Sequence, residues 1–324
     1  MRLSLSLPVL LRAALLGLCT LAPAVDRPLR AEPAAGAAPV APRVLGLSHV
    51  AVKATDYEAS VAFYRDFLGF AEQGRLFYPN NGRRELVFLK VSDTQTIEVF
   101  DAANVTQTAG NLYQIALQVE DAEAMRFQLL RHGFKMPPKV PLGQMRNANF
   151  TVRDPNGYII EVVQYLPEGR MVLDRGKFLS TTRISERLVA AGVSTTKLPE
   201  TLRFYGEILG FAPKPTTAAT SPADQRLQLR VGANGDYVEV HVAAKDDTPF
   251  FRFEVRDLDH AKAQLERSLY FPTYGRPVVI ETGSSRRRLI ALRDPEGIRV
   301  ELVEPDLASS KAGSIPYAPP SRVP

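Results

Sequence analysis

Two kinds of hydrophobic spacing alternate along the chain. Strand-like runs such as Leu47 to Val52, and alternating runs such as Thr96 to Phe100, predict β-strands with one polar face. Between these two runs, the apolar positions follow one face of a helix at i, i+4, i+7 and i+11: Tyr57, Val61, Tyr64 and Leu68. Thr55 and Glu58 fit a capping box at the start of this helix, and Gly69 fits its end. The order is strand, helix, then several strands.

The same order returns later in the chain with recognisable motifs. Residues 63–70, Phe-Tyr-Arg-Asp-Phe-Leu-Gly-Phe, recur at 204–211 as Phe-Tyr-Gly-Glu-Ile-Leu-Gly-Phe. The run Arg-Asp-Pro-Asn-Gly at 153–157 recurs as Arg-Asp-Pro-Glu-Gly at 293–297. The two shifts are nearly equal, at 141 and 140 residues, which indicates a duplicated domain.

Each copy contains the strand–helix–strand order twice, so the chain is predicted to be an α+β protein of four βαβββ modules. The repeat divides these modules between two domains, 44–165 and 186–305. The modules are predicted near residues 44–102, 112–165, 186–243 and 249–305.

Both ends differ from this globular region. Residues 1–24 combine Arg2, Arg12, a short leucine-rich core and Ala22-Pro23-Ala24, the pattern of a cleaved export signal. We therefore expect a periplasmic or extracellular protein without a stable membrane anchor after cleavage. Residues 25–43 have the Pro/Ala composition of a linker, and residues 306–324 that of a flexible tail.

Composition narrows the function further. The chain has 324 residues, 45% of them hydrophobic, and a formal net charge of +5, which is too weak and dispersed to indicate a nucleic-acid partner. Its single cysteine, Cys19, would leave with the signal, so neither disulfides nor a cysteine nucleophile are expected in the mature protein. A small-molecule substrate or ligand is the expected partner, and the oligomeric state stays open.

Four segments together resemble the vicinal oxygen chelate superfamily, which includes glyoxalase I, bleomycin-resistance proteins and extradiol dioxygenases. The resemblance covers about residues 44–305. It implies that the modules pair into two glyoxalase-like domains with curved mixed sheets and outer helices, and that a divalent metal ion is held inside the cup-shaped sheet. The segments are Leu-Ser-His-Val-Ala-Val at 47–52, the 63–70 motif, Thr-Ile-Glu-Val-Phe at 96–100, and Asp-Pro-Asn-Gly at 154–157 leading to Glu161.

Carried onto this sequence, the metal ligands implied by the resemblance are His49, Glu98, Gln114 and Glu161. Strand parity gives independent support, because side chains alternate between the two faces of a strand. Each of these polar residues is out of phase with the heavy aliphatic residues of its strand. All four should therefore lie on the face away from the helices and converge inside the cup.

Two converging carboxylates need a proton, a basic side chain or a metal ion nearby. One imidazole, one amide oxygen and two carboxylates suit Mn²⁺, Zn²⁺, Fe²⁺, Ni²⁺ or Mg²⁺, and the sequence leaves the metal open. Taken singly, each residue is also typical of a hydrogen-bonded or solvated position on a strand.

The second domain departs from this pattern. Ala190, Glu239, Phe250 and Glu301 occupy the matching positions, so the imidazole and the amide are missing. Arg252, in phase with Phe250, is predicted to pair with Glu239 or Glu301, and His241 leaves open a rearranged site. The second domain is expected to be structural or to form a pocket wall.

Three functions remain open. The resemblance favours a metal-dependent lyase or isomerase of the glyoxalase type, acting on a small oxygenated substrate through an enediolate-type intermediate, with Glu161, or Glu98 by symmetry, as the proton carrier. A non-catalytic protein that binds or sequesters a ligand, of the bleomycin-resistance type, is the alternative. A ring-cleaving dioxygenase ranks lower, because that chemistry uses two histidines and one carboxylate, and Gln114 stands where the second histidine would be.

Overall fold

The structure, a computed structural model, describes residues 42–77, 82–105, 112–214, 226–242, 249–283 and 287–305, which lie in one compact unit. The predicted signal at 1–24, nearly all of the linker at 25–43 and the tail at 306–324 lie outside these residues and stay predictions. No helix in the described part of the chain combines the length and apolarity that a membrane span requires.

Two mixed sheets form the framework. The first has the order β2-β3-β4-β1-β5-β7-β6 and the second the order β13-β14-β15-β12-β8-β11-β10-β9. When one order is reversed, the two match strand for strand except for the additional edge strand β13. The first sheet consists of β1 (Val44–Ala54), β2 (Ala71–Phe77), β3 (Arg84–Lys90), β4 (Thr96–Asp101), β5 (Leu112–Val119), β6 (Ala148–Arg153) and β7 (Ile159–Gln164). The second consists of β8 (Arg187–Thr195), β9 (Ala212–Lys214), β10 (Arg226–Val231), β11 (Asp236–Val242), β12 (Phe250–Glu254), β13 (Ile280–Thr282), β14 (Arg288–Arg293) and β15 (Arg299–Val303).

These sheets confirm the predicted fold class of paired glyoxalase-like modules. The second module differs locally. Where its second strand would run, residues 134–147 are irregular apart from one bridge between Leu142 and Ala148. This irregular stretch supplies part of a cavity wall described below.

The helices are short. The first one predicted from the sequence is a regular helix followed by a wider π-helical turn, Phe63–Phe67, and the second copy repeats this with Arg203–Ile208. The wider turn buries Phe63 and Phe67 in addition to the predicted face. The α-helices are α1 (Tyr57–Ala62), α2 (Ala122–Arg131), α3 (Arg170–Leu173), α4 (Leu198–Leu202), α5 (Leu258–Glu266) and α6 (Phe271–Tyr274), and Ala102–Asn104 form a 3₁₀ turn.

The predicted capping box at Thr55 is wrong. Asp56 caps α1, because its side chain accepts a hydrogen bond from the backbone N–H of Ala59. Thr55 instead donates from its backbone N–H and its hydroxyl to Glu296, at 2.8 and 2.7 Å. The partner of Thr55 therefore comes from the other half of the chain, where local sequence gives no warning of it.

One hydrophobic core spans both sheets. Val50 and Val52 of β1 belong to it and are fully buried, as are Val193 of β8 and Phe251 of β12, or nearly so. The other face of β1 carries His49 and Ala51. Residues from both sides of the predicted domain boundaries at 165 and 186 contribute to this one core, so the core does not mark a boundary. The boundaries stay a prediction.

Reciprocal hydrogen bonds join the two repeated motifs. The hydroxyl of Tyr64 donates to Asp294 at 2.6 Å, and the hydroxyl of Tyr205 donates to Asp154 at 3.1 Å. Each half thus contributes its Phe-Tyr helix to the Asp-Pro-x-Gly turn of the other half. Both tyrosines are fully buried, so these bonds satisfy hydroxyls that water cannot reach.

A pH dependence of stability follows from Asp294. Burial raises its pKa to about 6, even though Tyr64 and the backbone donate hydrogen bonds to it. The folded protein therefore binds this proton more tightly than the unfolded chain does. The resulting stabilisation is fully present below about pH 4 and is lost as the pH rises through about 6.

We expect Asp294→Asn to remove this contribution. Between about pH 4 and 7, the free energy of unfolding of the wild type should fall by about 2 kcal/mol relative to that of the variant. Urea unfolding across this range measures the difference, with the exposed Asp66→Asn as a matched control. Parallel pH profiles for the wild type and Asp294→Asn would contradict the assignment.

Candidate functional site

Four strands of the first sheet bring the predicted residues together. His49 lies on β1, Glu98 on β4, Gln114 on β5 and Glu161 on β7, and all four line one cavity of about 350 Å³. Each is less than a tenth exposed. Strand register explains the convergence, because Glu98 and Gln114 both lie beside Ala51, one on either side of β1. The small side chain of Ala51 leaves room between them.

His49 is at the centre of a hydrogen-bonded cluster. Its Nδ1 lies 3.3 Å from Oε1 of Glu98, and its Nε2 lies 3.1 Å from Oε2 of Glu161. Nε2 of Gln114 is 3.0 Å from Nε2 of His49 and also donates to Glu161. The imidazole therefore lies between the two carboxylates.

Charge follows from this geometry. Burial by itself would lower the pKa of His49, but the charge of Glu98 and the hydrogen bond and charge of Glu161 outweigh it, so the pKa is raised. Burial raises the pKa of Glu98 to about 7 against the attraction of His49, and the charge of Glu161 adds to the rise. His49 and Glu98 therefore exchange a proton as a coupled pair around neutral pH.

A chain of hydroxyls holds the other side of His49. The hydroxyl of Tyr165 donates to the backbone carbonyl of Thr94 at 2.8 Å, so it accepts from the Ser48 hydroxyl at 2.6 Å. The Ser48 oxygen in turn lies 3.2 Å from Nδ1 of His49 and must accept from it. Because a carbonyl can only accept, the whole chain has one direction. It keeps the proton on Nδ1 and turns Nε2 toward Glu161 and Gln114.

The remaining cavity lining has two characters. One wall is apolar and comes mainly from β2, β3 and β4, and the other is rich in amides and comes mainly from the irregular stretch 134–147 and from β6. The apolar wall consists of Leu76, Leu86, Phe88, Phe100 and Met145, and the polar wall of Gln144, Asn147, Asn149 and Thr151.

Three lining residues did not emerge from the sequence. Tyr165 follows the last residue of β7 and keeps the parity of Glu161, so the same face rule could have identified it. Ser48 and Glu85 could not be found in this way, because each is the extra residue of a β-bulge, in β1 opposite β5 and in β3 opposite β2. A bulge shifts the alternation of faces, which places a polar side chain where a regular strand would not.

The matching cup of the second half contains an arginine. Nε of Arg252 donates to Glu301 at 2.7 Å, and its guanidinium lies 3.3 Å from Glu239. Arg252 also donates to the hydroxyl of Tyr237. The predicted pairing is confirmed with both carboxylates. His241 lies 2.7 Å from the other oxygen of Glu239, within the same network.

Comparison with known proteins agrees with this architecture. Residues 46–162 match the sequence model of the Glyoxalase/Bleomycin resistance protein/Dioxygenase superfamily. No curated protein matches the chain.

Similar solved structures cover both halves. A Mn(II)-bound glyoxalase from Novosphingobium aromaticivorans has 16% identity and a TM-score of 0.61, over 81% of this chain and 83% of that one. The 2,3-dioxygenase LapB from Pseudomonas sp. KL28 has 18% identity and a TM-score of 0.61, over 82% and 93%. An extradiol ring-cleaving dioxygenase from B. fuscum has 17% identity and a TM-score of 0.61, over 82% and 73%.

At these identities the likeness concerns the fold, and the shared fold extends from the first sheet into the second. The sequence match is narrower, and it covers the half that holds the candidate site. The region 46–162 therefore belongs to the Glyoxalase/Bleomycin resistance protein/Dioxygenase superfamily.

Proposed function

We propose that the first half binds one divalent metal ion through His49, Glu98, Gln114 and Glu161, and that it catalyses a lyase or isomerase reaction of the glyoxalase type on a small oxygenated substrate. The supporting observation is that four donors from four separate strands meet, buried, at the wall of one cavity. The solved neighbour named as a Mn(II)-bound glyoxalase supports a divalent ion as the cofactor and leaves its identity open here.

The donor set fits a metal in its chemistry. The four donors are an imidazole nitrogen, an amide oxygen and two carboxylates. Mn²⁺, Zn²⁺, Fe²⁺, Ni²⁺ and Mg²⁺ all bind such ligands, and they differ in their relative preference for nitrogen and oxygen donors. Among the described residues, no group of three His, Cys, Asp or Glu side chains is already arranged to hold an ion. The donors hydrogen bond with one another instead. Binding of a metal would replace these mutual hydrogen bonds of His49, Gln114 and Glu161.

The residues around the site have separate tasks in this proposal. A bound divalent ion supplies Lewis-acid stabilisation of negative charge on substrate oxygens. Glu161, or Glu98 opposite it, carries the proton between substrate positions. Ser48 and Tyr165 hold His49 in one tautomer, and the apolar wall with Phe88 excludes water from the reacting end.

A second candidate is a protein that binds or sequesters a small molecule in this cavity without metal or chemistry. The observation that favours it is the completeness of the hydrogen bonding, since His49 contacts both carboxylates and the Ser48 hydroxyl. A ring-cleaving dioxygenase remains the third candidate. Two solved neighbours are named as dioxygenases, one of them as ring-cleaving, but the donor set here has one histidine rather than two.

Metal content distinguishes the first candidate from the second. Protein from a metal-supplemented culture, purified without chelators, should carry about one divalent ion per chain by elemental analysis. His49→Ala should lose most of it, because the ring nitrogen is the only imidazole donor of the set. The exposed His132→Ala serves as the control and should keep its metal. Absence of metal from both the wild type and His49→Ala would favour the binding protein.

Export is a separate proposal. We propose that residues 1–24 direct the chain out of the cytoplasm and are removed by cleavage near Ala24, and the composition of these residues supports this. N-terminal sequencing of protein isolated from its own host should begin near Val25. Cytosolic protein with an intact Met1 would contradict export.

A further inference from the structure

Glu85 is the third carboxylate of the cavity, and the proposed metal site does not use it. It lines the cavity wall as the extra residue of the β3 bulge, one position before Leu86. Among the described residues, its one side-chain hydrogen bond comes from the neutral amide of Gln144 at 3.0 Å. Bulges beside functional sites commonly re-aim a side chain, and this one brings a negative charge to the cavity.

An apolar surface connects Glu85 with the proposed metal site. Phe88 pairs with Glu98 across β3 and β4, and Leu86 pairs with Phe100. Leu86, Phe88 and Phe100 are buried in one small cluster with Ala51. Phe88 lies three positions along the strand from Glu85, and this spacing corresponds to roughly 10 Å. That distance suits a ring with a short side arm.

The charges of the cavity differ between its two ends. A divalent ion would neutralise Glu98 and Glu161, whereas the charge of Glu85 would remain. Burial raises the pKa of Glu85, so the ionised carboxylate is less favourable there than in water and gains from a cation nearby. Asn147, which lines the same cavity and is 8% exposed, has an amide oxygen with no hydrogen-bond partner in the described structure. Both groups accept hydrogen bonds and neither repels a positive ligand.

We infer that the cavity takes a small ring-containing molecule with a positively charged amino arm, and that Glu85 selects for this charge. The inference rests on the proposed function, because the oxygen end of the ligand would face His49, Glu98, Gln114 and Glu161. The ring would lie along Leu86, Phe88 and Phe100, and the ammonium group would reach Glu85.

Three probes with one ring and different arms test the inference. They are 4-(2-aminoethyl)catechol, the neutral 4-methylcatechol and the anionic 3,4-dihydroxyphenylacetate. Binding to Mn²⁺-loaded full-length protein is measured by calorimetry without oxygen, so that the probes are not oxidised. The amine should bind about fivefold more tightly than the neutral probe, and the anion about fivefold more weakly. A difference of this size is expected from a single, partly exposed charge interaction between the arm of the probe and Glu85.

Glu85→Gln should bring the three dissociation constants together and leave that of the neutral probe unchanged. Glu120→Gln, which removes the same charge from an exposed position outside the cavity lining, should keep the order of the wild type. Equal binding of the three probes by the wild type, or an order that persists in Glu85→Gln, would overturn the inference while metal-dependent binding of the neutral probe still supports the proposed function. Failure of every probe to bind the metal-loaded protein would overturn the inference, and a wild-type protein that holds no Mn²⁺ would overturn the proposed function as well.

Discussion

Replacement of Arg252 by methionine should lower the free energy of unfolding by about 3–5 kcal/mol, the cost of leaving buried charges without their partner. Burial alone would raise the pKa of Glu239, but the charge of Arg252 and the hydrogen bond from His241 hold it well below its usual range. Methionine has a similar length and no charge, so the loss reports on the ion pairs rather than on packing. Chemical denaturation near neutral pH measures it.

Arg299→Met is the matched control. Arg299 donates to the same Glu301 at 2.7 Å, but its side chain is 32% exposed, so its removal should cost less than about 1 kcal/mol. Combining Arg252→Met with Glu301→Gln should cost less than the sum of the two single changes, because one unpaired charge is removed. Equal effects of Arg252→Met and Arg299→Met would contradict the conclusion that the buried guanidinium neutralises the two carboxylates of this cup.

Glu161→Ala should have the opposite profile. We expect it to abolish the binding of the divalent ion, while the free energy of unfolding of the metal-free protein changes by no more than about 1 kcal/mol. The Glu161 carboxylate accepts hydrogen bonds from His49 and Gln114, and its charge raises the pKa of Glu98. Removal of this charge relieves the repulsion between the two carboxylates. That gain partly offsets the loss of the hydrogen bonds from His49 and Gln114.

Parallel metal titrations and melting curves decide this second prediction. Thr151→Val changes a neighbouring cavity residue that pairs with Glu161 across β6 and β7, and it should retain metal binding. If the metal-free protein lost as much stability from Glu161→Ala as from Arg252→Met, the division into a binding half and a structural half would fail.

Strand parity was sufficient to place the candidate site. His49, Glu98, Gln114 and Glu161 meet in the structure because alternation is a local property that each strand carries in its own sequence. The pairing of Arg252 with Glu239 and Glu301 was predictable for the same reason. Their roles as ligands or proton carriers stay predictions.

Most features that strand parity could not predict depend on contacts with residues far away in the chain. Ser48 and Glu85 reach the cavity through bulges, which arise from the register between two strands rather than from either strand alone. Asp56 replaces Thr55 as the cap because Glu296, from the other half, engages Thr55. At 134–147 the module pattern predicts a strand, but Pro137, Pro138 and Pro141 favour the irregular wall that is found there.

The reciprocal bonds of Tyr64 with Asp294 and of Tyr205 with Asp154 have a consequence for cooperativity. If either half unfolds, the other loses one buried donor and one buried acceptor at the same moment, together with its share of the common core. The two halves therefore unfold as one thermodynamic unit. A ligand held in the first cavity then protects the backbone amides of the second sheet as well, because by mass action its binding energy opposes the only opening available to both.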